Sequence, residues 1–160
     1  MKPATSNELK QELMAASPKK LLELCLRLAR FKKENKELLT YLLFEAHDEE
    51  AYIQSIKNDM DGQFAQLSQI NLYLTKKSLR KILRSVNKYI RYTGSALVET
   101  ELLLWFCKNI NAAKIPFHKS TALTNLYHQQ IKKINAAIGL LHEDLQHDYL
   151  KELKVVSNKL

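Results

Sequence analysis

Glycine and proline are scarce in this sequence, with three of each among 160 residues. Sandwiches and barrels consume such residues at frequent turns, so the shortage argues against a strand-rich fold. Cysteine is scarcer still. Cys25 and Cys107 stand far apart and outside any CxxC spacing, which points away from a disulfide framework or a zinc site. Both lie in apolar surroundings and are expected to be buried free thiols in a reducing compartment. Long apolar runs are missing too: the longest, LLLWFC at 102–107, is far short of the roughly 20 residues a membrane helix needs. The opening MKPATSNELKQEL has no apolar stretch of the kind a secretion signal carries, so the chain is expected to be cytoplasmic, with no membrane partner. Catalytic signatures are lacking as well: there is no glycine-rich phosphate loop, no serine in a nucleophile elbow and no cysteine in an activating polar context. The chain is read as a non-enzyme without a cofactor.

What is present is helical patterning. Hydrophobic residues make up 46% and charged ones 26%, the balance of a globular chain. A domain of this length buries about 70% of its unfolded surface, and a single all-helical domain over 1–160 is expected. Thr5 with Glu8 forms a capping box that opens a helix to about residue 16. Ser17 caps the next helix with Pro18 at its first position, and Leu21, Leu24, Cys25, Leu28 and Phe31 follow at the spacing of one buried stripe. After a polar break at 32–35 comes an apolar helix, KELLTYLLFEAH. Asp48 caps a segment expected to run to Ile70, with Gly62 bending or dividing it. Thr75 starts a helix that ends at Thr93, Gly94 and Ser95 with a glycine cap. ALVETELLLWFCKNI is another apolar helix, and residues 120–156 read as helical with a break near Gly139.

Two parts of the chain echo each other. Ser17, Lys19, Leu21, Leu24, Cys25, Leu28, Phe31 and Lys33 align in order with Thr75, Lys77, Leu79, Ile82, Leu83, Val86, Tyr89 and Arg91, and ELLTYLLF then aligns with ELLLWFCK. A fainter third copy starts at Leu123. Over residues 17–47 and 75–110 this pattern resembles the helix-pair repeats of HEAT and armadillo-type proteins. The resemblance implies an all-α array of irregular stacked hairpins used for binding, with a plain helical bundle as the alternative. Trp105, aligned with Tyr41, is expected in the core, the alternative being an exposed aromatic anchor.

The net charge is +8, and residues 75–92, TKKSLRKILRSVNKYIRY, carry seven basic side chains and no acidic one. At about 100° per residue, Lys77, Arg80, Lys81, Arg84, Lys88 and Arg91 share one third of the helix circumference. No Asp or Glu occurs from 62 to 98, so helical ion pairs at three or four residues cannot neutralise the stripe. Three readings compete: Asp59, Asp61 or the HDEE cluster at 47–50 covers the stripe; it holds nucleic-acid phosphates; or it meets an acidic protein surface. Sequence-specific DNA reading is unsupported, because no helix-turn-helix, zinc-ligand or zipper pattern is present. Tyr73 and Tyr92 either stack on unpaired bases or cap a core edge.

LLHEDLQHDY is the segment that invites an enzyme or metal reading. His142 and His147 point about 140° apart on a helix and cannot share an ion, while Glu143 and His147 could supply two ligands of a site completed by His47, Asp48, Glu49 or Glu50. A surface ion pair explains the same residues without a metal, and no metal is expected. Self-association through the leucine-rich final helices is a further structural alternative.

Overall fold

The computed structural model describes residues 2–67 and 71–158. Its helices are α1 (Ser6–Ala15), α2 (Pro18–Phe31), α3 (Lys33–Thr40), α4 (Glu49–Ala65), α5 (Leu72–Thr93), α6 (Ala96–Ala112), α7 (Thr121–Ile138) and α8 (Glu143–Ser157). A π-helical turn, Tyr41–Glu45, continues α3, and a 3-10 turn, Phe117–Lys119, precedes α7. No strand occurs among the described residues, and the fold is all-α. Contacts group the chain into two compact units, residues 1–45 and 46–160.

In the first unit the local signals work as expected. Thr5 and Glu8 form the reciprocal capping box of α1, and the Ser17 hydroxyl accepts from the Lys20 amide at 3.3 Å to cap α2. The polar break shrinks to Lys32 alone, after which α3 restarts. The expected burial of the α2 stripe does not occur. Leu28 is 60% and Phe31 76% exposed, and Cys25 is exposed rather than buried. Within this unit α2 packs on α3, and two helices share only one seam, so side chains off that seam meet water. Tyr41 is the unit's one buried hydrophobic residue among those described.

In the second unit α6 is the centre. Its buried residues, among them Val98, Leu102, Leu103, Leu104, Phe106 and Ile110, cover about two thirds of its circumference and leave Glu101, Trp105 and Lys108 on the remaining strip, the pattern of a helix packed on several sides. It packs against α4, α5, α7 and α8. Phe106 meets Phe64 of α4 edge-on with centroids 5.7 Å apart. Buried Tyr127 of α7 donates its hydroxyl to the Val156 carbonyl at 3.0 Å and accepts from Asn111 at 2.8 Å, joining α7, α8 and α6 at one point. Burial pushes the Cys107 thiol up to about 12, as suits a packing residue.

Boundaries move in informative ways. α4 ends at Ala65; residues 68–70, where the sequence carries this helix on to Ile70, lie outside the described residues. Gly62 does not divide α4, since the helix runs through it. Gly94 caps α5 with φ +63, the left-handed conformation glycine adopts without strain. The helix before it starts at Leu72, three residues earlier than Thr75: Asn71 accepts from the Tyr73 amide at 2.8 Å, and the Thr75 hydroxyl, buried, donates back to the Asn71 carbonyl at 3.1 Å.

The sequence echo survives in helix placement and not in burial. Leu79, Ile82 and Val86 are buried against α6, whereas their counterparts in α2 are half-buried or exposed. Phe106→Ala is expected to lower unfolding stability by about 3–5 kcal/mol, as removal of a core aromatic does, and Phe31→Ala by less than about 0.5 kcal/mol, as at a surface position. Chemical denaturation monitored by circular dichroism checks both.

Candidate anion-binding groove

α5 is strongly two-faced. Thr75, Leu79, Ile82, Val86 and Ile90 point inward, and the basic residues occupy the opposite side. Beside it, the outer flank of α7 leaves a groove of about 760 Å³ between the two helices. From α5 the wall is Tyr73, Lys76, Lys77, Arg80, Arg84 and Asn87, with Leu83 lower down. The facing wall is Ala122, Asn125, Leu126 and Gln129 of α7. Among the described residues no acidic side chain lines it.

Three residues of the expected stripe, Lys77, Arg80 and Arg84, line the groove. The other three do not. Lys81 and Lys88 sit on the flank turned away from α7, because they lie about 40° to 100° further round the helix than Arg84 or Arg80 on the side opposite Lys76. Arg91 falls one turn past Asn87, the last α5 residue of the wall. Lys77, Arg80, Lys81, Arg84 and Arg91 are exposed and form no ion pair among the described residues. Lys88 is half-buried with its ammonium 5.0 Å from the Tyr89 ring centroid.

The acids that the sequence offers as neutralisers are engaged elsewhere. Asp61 accepts from the Trp105 indole at 2.7 Å and from Asn109 at 2.9 Å. Asp59 accepts from Gln63 at 2.8 Å, and Asp48 caps α4 by accepting from the Ala51 amide at 2.9 Å. Glu49 and Glu50 occupy the first turn of α4, where they complement the helix dipole.

Sequence reasoning missed two parts of the groove. Lys76 lies about 100° from Lys77 and outside the stripe, yet α7 stands on that side, and its ammonium is 5.6 Å from the Tyr73 ring centroid. The second is the carboxamide wall of α7. Asn125 and Gln129 are exposed and have no hydrogen-bond partner among the described residues, while Asn87 accepts from Lys133 at 3.5 Å. A signal for α7 was present: residues 102–142 contain no Asp or Glu, so both groove helices are acid-free.

The other polar clusters serve packing. Trp105 is neither core nor free anchor. It is half-buried, tied to Asp61 and flanked by the Lys57 and Lys108 ammonium groups at 5.1 and 5.9 Å from its ring centroid. Next to it Glu101 of α6 accepts from Lys57 of α4 at 2.5 Å and from the Tyr149 hydroxyl of α8. Burial works to raise the Glu101 carboxyl, but the bonds from Lys57 and Tyr149 outweigh it and hold the group below the usual glutamate range. The Tyr149 phenol is pushed up, first by burial and then by Glu101. His142 caps α8, accepting weakly from the Asp144 amide at 3.4 Å, and no group of three His, Cys, Asp or Glu side chains capable of holding a metal occurs among the described residues. No described helix is long and apolar enough to cross a membrane.

Comparison with protein-family models, with curated proteins and with solved structures finds no match to this chain.

Because its folded value is depressed, ionised Glu101 stabilises the fold fully above the unfolded glutamate value of about 4.3, and this contribution is lost as pH falls through the lower folded value. The gap in melting temperature between the wild type and Glu101→Gln is therefore expected to be constant from about pH 5.5 to 7 and to shrink toward about pH 3. Thermal unfolding across that range measures it, and a gap that widens on acidification contradicts the assignment.

Proposed function

We propose that the chain is a non-enzymatic helical binding module whose α5/α7 groove holds a phosphate-bearing polyanion. One observation carries the reading: Lys77, Arg80 and Arg84 line a concave surface with no acid on either wall and no ion pair among the described residues. A neutralised stripe would present little field. An uncompensated one in a concave site attracts anions over about a Debye length, roughly 8 to 10 Å. The two arginines stand one helical turn apart, and each guanidinium offers a planar fork of donors suited to two phosphate oxygens.

Stacked hairpins, α5 with α6 and α7 with α8, suit this role, in the manner of HEAT- and armadillo-type arrays that present concave surfaces to partners. A cytoplasmic location belongs to the same proposal and is supported by the free thiols Cys25 and Cys107. An acidic protein surface is the competing partner for the same cations.

The test is a titration of a labelled oligonucleotide by fluorescence anisotropy at low and moderate salt. Arg80→Glu with Arg84→Glu is expected to weaken binding by more than about tenfold and to flatten the salt dependence by roughly one unit of slope for each phosphate no longer held. The same charge change off the groove, Lys81→Glu with Arg91→Glu, is expected to cost less than about threefold, because exposed charges away from the bound strand act only through a screened field. Equal losses from the two pairs, or no binding at low salt, would overturn the reading.

A further inference from the structure

Phosphate chemistry accounts for one wall of the groove and leaves the other unexplained. A ligand recognised by charge alone has no use for carboxamides. Yet Asn125 and Gln129 are presented there without partners among the described residues. The walls also carry apolar side chains, Leu83 on α5 and Ala122 and Leu126 on α7, the last only 9% exposed. At the Tyr73 end an aromatic ring is 65% exposed, with the Lys76 ammonium beside it. Cations on one side, carboxamides on the other, apolar side chains on both and an open ring at one end match a ligand with a charged backbone, flat apolar faces and polar edges.

We infer that the occupant is a single-stranded nucleic acid, with its backbone along Lys76, Lys77, Arg80 and Arg84 and its bases turned toward Asn125, Gln129 and Tyr73. This rests on the polyanion reading and adds the bases to it. A carboxamide carries both a donor and an acceptor and pairs side by side with a base edge, as Asn and Gln do with adenine. Stacking on an exposed tyrosine tolerates any base, since each has a π-face. Unpaired bases are required by the form of the site. In a duplex the base edges are reached by an element that enters a groove of the nucleic acid, whereas here the carboxamides line a recess of the protein, which a base reaches only when splayed from its partner.

Three probes of equal length separate the terms at one ionic strength: a single-stranded oligonucleotide, the same backbone made wholly abasic, and a duplex. A poly-glutamate peptide of similar charge is the fourth. The single strand is expected to bind at least about tenfold more tightly than the abasic strand and the duplex, a margin in keeping with one or two stacked bases. Asn125→Ala with Gln129→Ala, and separately Tyr73→Ala, are each expected to weaken the single strand roughly five- to tenfold and to leave the abasic strand unchanged. All three positions are exposed, and a melting curve for each variant checks that folding is intact.

If the single and abasic strands bind alike, or the amide and tyrosine variants shift both equally, the base contacts are refuted while the polyanion reading stands. Duplex binding as tight as that of the single strand refutes them in the same way. Preference for poly-glutamate over every strand overturns the inference in favour of an acidic protein. Absence of binding by any strand, together with indifference to Arg80→Glu and Arg84→Glu, removes the underlying reading as well.

Discussion

The second unit depends on the burial of α6. A helix apolar over most of its circumference is unstable in water and is satisfied only when several other helices pack on it, and α4, α5, α7 and α8 do so. Each of those helices has one apolar face to give, and its remaining surface is thereby directed outward. For α5 this determines the orientation of the cations. Once Leu79, Ile82, Val86 and Ile90 are committed to the core, Arg80 and Arg84 have only the solvent side left. The electrostatic character of the groove is thus a consequence of packing on the far side of the same helix.

Charge is segregated as well as exposed. The acids of the second unit lie mainly on α4 and α8, with Glu99 and Glu101 on α6, and Asp61, Glu101 and Glu152 bind Trp105, Lys57, Tyr149 and Lys108. Those bonds tie outer helices to the central one and leave α5 and α7 with none of the compensating charge. Lys57 and Lys108 are paired, and the groove-lining Lys77, Arg80 and Arg84 are not, among the described residues. The excess of positive charge is therefore concentrated where both walls of a concave surface meet it.

The parts of this arrangement that were legible in the sequence are those governed by local rules. Capping at Thr5, Ser17, Asp48 and Gly94 follows from backbone donors that need an acceptor, or from a left-handed residue, and each lies where the sequence puts it. The angular clustering of the basic residues required only helical periodicity. Burial in α2 was not legible, because Leu28 and Phe31 have the spacing of a core stripe whether or not an element arrives to cover them. The α7 wall was hidden for a related reason. Asn125 and Gln129 are unremarkable polar residues until α7 is placed beside α5, a long-range fact that no spacing encodes. Trp105 evaded both expectations because its neighbours, Lys57 and Asp61, come from a helix about forty residues away in the chain.

α5 and α7 both rest on α6 and scarcely touch each other. The aperture between them is therefore governed from behind, by the bulk of the α6 side chains that hold the two apart. The buried side chains of α6 thus act as spacers. Evolution or engineering could retune how wide the cleft stands, and so what fits within it, by altering methyl groups in the interior while every surface residue stays the same.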